Sequence, residues 1–229
     1  MAVDGTYKEN DRLLAIIGFG ILIFCIAAFG AKLVFEPERL ARYTWPVIWH
    51  GLFMLGWLAL FPAQAWLMAA GRGRLHKHMG RLSVILAIAM IVTSLQVAIA
   101  LTLEFQNAML LAFNATVVIS FVGFYAFAIF AASAGHTGLH RRLMLFTTLS
   151  IIGPAIGRVF DVLDMSEALS LPVILALKII IPVIYDLGAS GLRRLTMILI
   201  GLSVLDTLIG TWLAFTFAEP LFHALLLSN

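Results

Sequence analysis

Seven long apolar runs leave this chain very few ways to fold. They cover residues 12–35, 45–70, 82–103, 108–132, 142–163, 170–187 and 194–217. About twenty consecutive apolar residues span the hydrocarbon core of a bilayer. No water is available there to satisfy backbone N–H and C=O groups, so isolated runs of that length must be helical. The expectation is an all-α integral membrane bundle of seven transmembrane helices forming one domain over residues 1–229. Composition supports this: 62% of residues are hydrophobic and 12% charged, against about 45–50% and about 25% in soluble domains. Little chain remains for a second, water-soluble unit.

Asp4, Glu9 and Asp11 precede the first run, where a signal peptide carries basic residues, so this run is read as a retained helix. The single Cys25 excludes a disulfide within the chain and a zinc–thiolate site of the usual kind. The formal charge of +3 is small and sits in basic loops, which suits anionic lipid headgroups and not nucleic acid.

Arg72, Arg74, Lys77 and Arg81 follow the second run, Arg141 and Arg142 the fourth, and Arg193 and Arg194 the sixth. With seven spans these all fall on one side, and the positive-inside rule makes the N-terminus cytoplasmic. Lys32, Arg39 and Arg42 run against that rule, while Trp45, Trp49 and Trp212 fit an aromatic belt at the outer surface. A short motif recurs at the basic turns: Gly71 to Lys77 resembles Gly135 to Arg141, with a looser copy from Gly188 to Arg194. One helix followed by three hairpins would produce this spacing. Any short hairpin with a glycine turn and a basic helix start would do so too.

Ionisable groups inside a membrane are expensive and mark functional sites. Helical rise places His50, Gln96, Asn114, Arg158, Lys178 and Asp206 in the outer halves of six spans, with Asp161 one turn beyond Arg158. These seven residues are the candidate ligand-binding set. Lys178 and Asp206 come out at similar depth on sequential spans, which suggests an ion pair serving either as a helix lock or as part of a site. Arg158 either snorkels to the interface or grips an anion with its planar fork. His50 could be an axial metal ligand, a proton carrier or a satisfied core residue. His76, His78, His136 and His140 match no zinc signature and are read as headgroup-facing; no metal site is expected. His223 falls after Pro220, in a segment expected to rest on the outer surface. Phe113, Phe121, Phe124, Phe127 and Phe130 are read as packing and lipid contacts.

The stretch from His50-Gly51 to Gln64, followed by Gly71-Arg72 and by Leu75-His76-Lys77-His78-Met79-Gly80-Arg81-Leu82, resembles bacterial multi-pass membrane proteins. Leu139-His140-Arg141-Arg142-Leu143 is in the same style. The resemblance implies a bacterial inner-membrane location and brings no activity with it.

Three functional classes fit this sequence. The first is a polytopic protein with an outward-facing polar pocket that binds or transports a small polar or anionic-headed ligand. The second is a redox protein or enzyme holding haem, quinone or pigment through His50. The third is a structural subunit or assembly factor, partnered by a membrane complex or by further copies of itself. The sequence names no cofactor.

Overall fold

A computed structural model describes residues 2–37, 43–189 and 191–227. Arg39 and Arg42 lie outside the described residues, as do the side chains of Asp4 and His223. Among the described residues there are eight α-helices: α1 (Ala2–Phe35), α2 (Trp45–Ala69), α3 (Gly73–Phe105), α4 (Ala108–Ser133), α5 (Thr137–Ser150), α6 (Gly153–Val162), α7 (Ser170–Ala189) and α8 (Arg194–Leu227). No strand occurs among the described residues. Seven membrane-length apolar segments result, because α5 and α6 together form one, Thr137–Val162.

Helices outrun the apolar runs. α3 begins at Gly73 and not near residue 82, so Arg74, Lys77 and Arg81 occupy its first turns and not a loop. α8 continues through Pro220 to Leu227, so the expected surface segment after Pro220 is a helical extension. Hydrophobicity reports where lipid ends; backbone hydrogen bonding carries the helix further. The turns between them are short. Gly71 and Gly135 adopt φ of 73° and 77°, a region open to glycine and costly for residues with a Cβ. The N–H groups of Arg72 and His136 each return to a carbonyl five residues back, at 2.8 Å, closing both helices in the same Schellman manner.

Six helices form a ring in the order α1, α2, α3, α4, α8, α7, with each packed against the next and α7 closing back on α1. α5 and α6 run through the middle: 67% of that span is buried, against at most 39% of any other. Lipid is as apolar as a leucine side chain, so helix association depends on close packing and buried hydrogen bonds. Both are present. Ala15, Ala28, Ala128, Ala131 and Ala155 are buried at helix contacts. Trp57 packs edge-on against Phe121 and Tyr125, with ring centroids 4.8 and 5.1 Å away, and its indole N–H donates to Thr148 Oγ1 at 3.4 Å. Ser83 and Tyr125 share a 2.6 Å hydrogen bond between α3 and α4. The outer faces, including Ile23, Ile85, Ile119, Phe127 and Phe130, remain exposed for lipid.

Candidate functional site

The central span is broken, and a cavity lies at the break. Thr147, Thr148 and Ser150 turn their hydroxyls back onto the carbonyls of Leu143, Met144 and Thr147, at 2.8, 3.1 and 2.7 Å, a bonding mode that bends helices. Pro154 then has no N–H to give Ser150 O. The Ala155 N–H bonds Ile152 O at 3.0 Å, the tighter three-residue pattern. α5 therefore stops at Ser150, and α6 restarts with Pro154 at its second residue, where proline is well tolerated. The span is therefore fully interrupted at Pro154 and not merely kinked.

Ile151 and Pro154, from the break itself, form one wall of a cavity of about 50 Å³. His50, Ser94 and Asn114 supply its polar lining, and Met54, Met90, Val117 and Phe121 much of the apolar remainder. Two neighbouring hydroxyls on α3 position the polar groups. His50 Nδ1 lies 3.4 Å from Thr93 Oγ1. Asn114 and Ser94 exchange hydrogen bonds at 3.0 and 3.2 Å. Arg158, one turn into α6, donates to Pro154 O at 3.1 Å and stacks over Phe29 with its guanidinium 4.3 Å from the ring centroid. Its charge acts on His50. The space suffices for a few waters or a ligand of few heavy atoms. Broken helices near the middle of a span are where membrane transporters build ligand sites, because freed backbone groups become available there.

The remaining candidates lie elsewhere. Gln96 is exposed on α3. It sits two residues beyond Ser94, about 200° around the helix, and so faces away from Asn114. Lys178 is buried and donates to Thr207 Oγ1 at 2.6 Å, while Asp206 accepts from Ser120 Oγ on α4. These two form no ion pair with each other among the described residues. Each is bonded to a hydroxyl on another helix, and the Asp206 charge still acts on Lys178 without a direct contact. Asp161 binds Lys32 at 3.0 Å, and Lys32 also pairs with Glu36. The Lys32 side chain is 9% exposed and Asp161 35%. Solvent reaches Asp161 and weakens the pair, and the buried Lys32 keeps Glu36 when Asp161 is neutralised. Asp161→Asn is expected to change stability by less than about 1 kcal/mol, measured as a shift in thermal unfolding in detergent; a larger loss would place this pair among the buried locks.

The strongest polar structure lies at the opposite end, beside the basic turns. Arg141 grips Asp11 with a two-pronged contact, Nε to Oδ1 at 2.5 Å and Nη2 to Oδ2 at 2.9 Å, tying α5 to α1. Arg142 reaches Asp186 Oδ1 through Nη2 at 2.6 Å and Thr196 Oγ1 through Nε at 2.8 Å, tying α5 to α7 and α8. Its Nη1 donates to Gly138 O at 2.9 Å, and Arg193 N–H fills Asp186 Oδ2 at 2.9 Å. Asp186 and Thr196 are fully buried. Arg141 and Arg142 are thus interior groups and not lipid-facing loop cations. The signal for this was Asp186 itself, an acid within the sixth apolar run that demanded a cation. Among the described residues, no three or more His, Cys, Asp or Glu side chains are placed to hold a metal ion.

No family model, curated protein or solved structure matches this chain.

Proposed function

We propose that this polytopic membrane protein binds a small anionic-headed ligand in the cavity at the break of its central helix. The coincidence of the cavity with the interruption of the most buried span carries this reading. A bundle packed purely as scaffold gains nothing from breaking its central helix beside a histidine and an asparagine. His50 and Asn114 would hold the ligand's polar atoms, Ser94 would fix the orientation of Asn114, and Arg158 would bias the cavity toward negative charge. Met54, Val117 and Phe121 would limit the apolar part to a short chain. In this reading the cavity is entered from the end of the bundle that carries Trp45, with the basic turns on the cytoplasmic side of a bacterial inner membrane, as the arginine distribution and the sequence resemblance imply.

Thermal unfolding of the purified protein tests the proposal. Formate, acetate, nitrate and phosphate are compared with chloride at equal ionic strength. A ligand present at a hundred times its Kd stabilises the folded state by about 2.7 kcal/mol. At least one small carboxylate is expected to raise the midpoint, and the rise should vanish in both His50→Ala and Asn114→Leu. Absence of any anion-specific rise, or an undiminished rise in both variants, would refute the assignment.

A further inference from the structure

Lys178 and Asp206 belong neither to the cavity nor to the buried ion pairs beside the basic turns. Both lie well inside the bundle, and at one level. The rise from Arg194 to Asp206 along α8 is about 18 Å, and from Ala189 back to Lys178 along α7 about 16 Å, in a hydrocarbon core about 30 Å thick. Lys178 is buried and Asp206 partly buried. The same bundle shows what its structural ion pairs look like: Arg142 meets Asp186 directly at 2.6 Å, and Arg141 meets Asp11 at 2.5 Å. Lys178 and Asp206 do not touch, although Asp206 is the charge that acts on Lys178 among the described residues. The other helices bring no competing partner. α4 carries no charged residue from Ala108 to Ser133. Asp11 is held by Arg141, Asp186 by Arg142, and Asp161 by Lys32, which also pairs with Glu36.

In place of each other, the two charges have neutral hydroxyls. Lys178 Nζ donates to Thr207 Oγ1 at 2.6 Å, and Asp206 accepts from Ser120 Oγ. A hydroxyl both donates and accepts, and each of these has a second place for its proton. Ser120 Oγ lies 3.0 Å from Thr116 O, and Thr207 Oγ1 lies 2.8 Å from Ser203 O, each one turn back on its own helix. With Asp206 ionised, the Ser120 proton points at the carboxylate. With Asp206 protonated, the acid donates to Ser120 Oγ and the serine proton turns to Thr116 O. No heavy atom has to move, and neither state strands a buried donor or acceptor. Thr207 gives Lys178 the equivalent freedom: it accepts from an ammonium while donating to Ser203 O, and it can turn its proton toward a neutral amine. A direct carboxylate–ammonium contact has no such second state. Ser203 Oγ, one turn from Thr207 on the same face, is fully buried and has no hydrogen-bond partner among the described residues. Orphaned buried hydroxyls are rare, so protein groups do not saturate this polar cluster.

We propose that Lys178 and Asp206 form a proton-exchange site within the membrane, in which Asp206 takes up and releases one proton and Lys178 supplies the positive charge that stabilises its ionised form. Uptake makes the O–H bond of a carboxylic acid from a carboxylate and a hydrated proton, and release returns that proton to water. No other bond changes and nothing is oxidised or reduced. The occupied site carries the net charge of the lysine and the empty site is neutral, so each exchange changes the charge of the bundle interior by one. Ser120 adjoins Phe121, which lines the ligand cavity, but the site needs no ligand and does not rest on that assignment.

Infrared difference spectroscopy on the protein in lipid bilayers, recorded across the pH range in which it stays folded, tests the site. A carboxylic acid shielded from bulk water gives a C=O stretching band apart from the amide and carboxylate bands. Lowering the pH of the unaltered protein should bring in such a band, and Asp206→Asn should remove it. Lys178→Met should let the band persist to a pH at least about one unit higher, a tenfold lower proton concentration, because losing a neighbouring positive charge favours the neutral acid. Ser120→Ala should change the frequency of the band, because the acid loses its acceptor; this small substitution serves where Lys178→Met fails to fold. A pH-independent spectrum in the unaltered protein, a band that survives Asp206→Asn, or a band that neither Lys178→Met nor Ser120→Ala alters would overturn the proposal.

Discussion

Asp186→Ala is expected to destabilise the fold by about 3–5 kcal/mol, the cost of leaving a buried partner charge uncompensated. Arg142 is buried and directs two of its nitrogens at Asp186. Removing the carboxylate strands the guanidinium inside α5, α7 and α8 and also deprives the Arg193 N–H of its acceptor. Restoring an apolar pair in place of both charges, Asp186→Leu with Arg142→Met, should recover most of the loss, since a well-packed apolar pair is often as stable as a buried ion pair. Arg142→Lys should not, because a single ammonium cannot reach Asp186, Thr196 and Gly138 O together. Reversible unfolding by denaturing detergent measures all three variants. A loss under about 1 kcal/mol in Asp186→Ala would mean that the network is solvated and does not lock the helices.

Gly210→Val is expected to cost at least about 1–3 kcal/mol through overpacking. Gly210 on α8 packs directly against Thr116 on α4. A Cβ there would meet Thr116 Cγ2, with Oγ1 at 2.7 Å and Cβ at 2.9 Å. Threonine is stiff about χ1, and Thr116 Oγ1 is also committed to Ala112 O at 3.1 Å, so relief must come from moving a helix. Thr116→Ala should rescue much of the defect, and the double-variant cycle should show coupling of the two sites. Gly201, with open space around its missing side chain, is the control: Gly201→Ala should be neutral or slightly stabilising. Equal effects at the two glycines would show that the α4–α8 contact is looser than described.

Different levels of this organisation were legible in the sequence to different degrees. Span number and helical class follow from hydrophobic length, because the bilayer sets that length directly. Depth follows from helical rise, and His50 and Asn114, at similar depth, line one cavity. Angular position does not follow from depth. Gln96 shares the expected stratum but sits about 200° from Ser94, and Asp206 is turned from Thr207 so that it meets α4 while its neighbour meets Lys178. A lone span has no sequence signal for which polar residue faces which neighbour when nearly all its faces are apolar. The basic turns illustrate a second gap. Arg141 and Arg142 open the most buried span, where loop-edge positions become interior. Asp186 was available as the clue, and its partner was not, since 44 residues separate Arg142 from Asp186. His76 and His140 show the converse: the repeat from Gly71 to Lys77 and from Gly135 to Arg141 was visible, but only the packed hairpins bring these two rings together.

Cysteine labelling at the cavity tests the central claim most directly. With Cys25→Ala as background, Val117→Cys is compared with Ile119→Cys in nanodiscs that expose both membrane faces to a small cationic thiosulfonate. Val117 lines the cavity and Ile119, on the same helix, is 67% exposed toward lipid. Thiosulfonates react with the thiolate, which forms in a polar, water-reached site and not against lipid tails. Val117→Cys should therefore react at least about tenfold faster than Ile119→Cys, and should be slowed by whichever small anion stabilises the unaltered protein. Equal rates at the two positions, or no protection by such an anion, would contradict a ligand site at the break in the central helix.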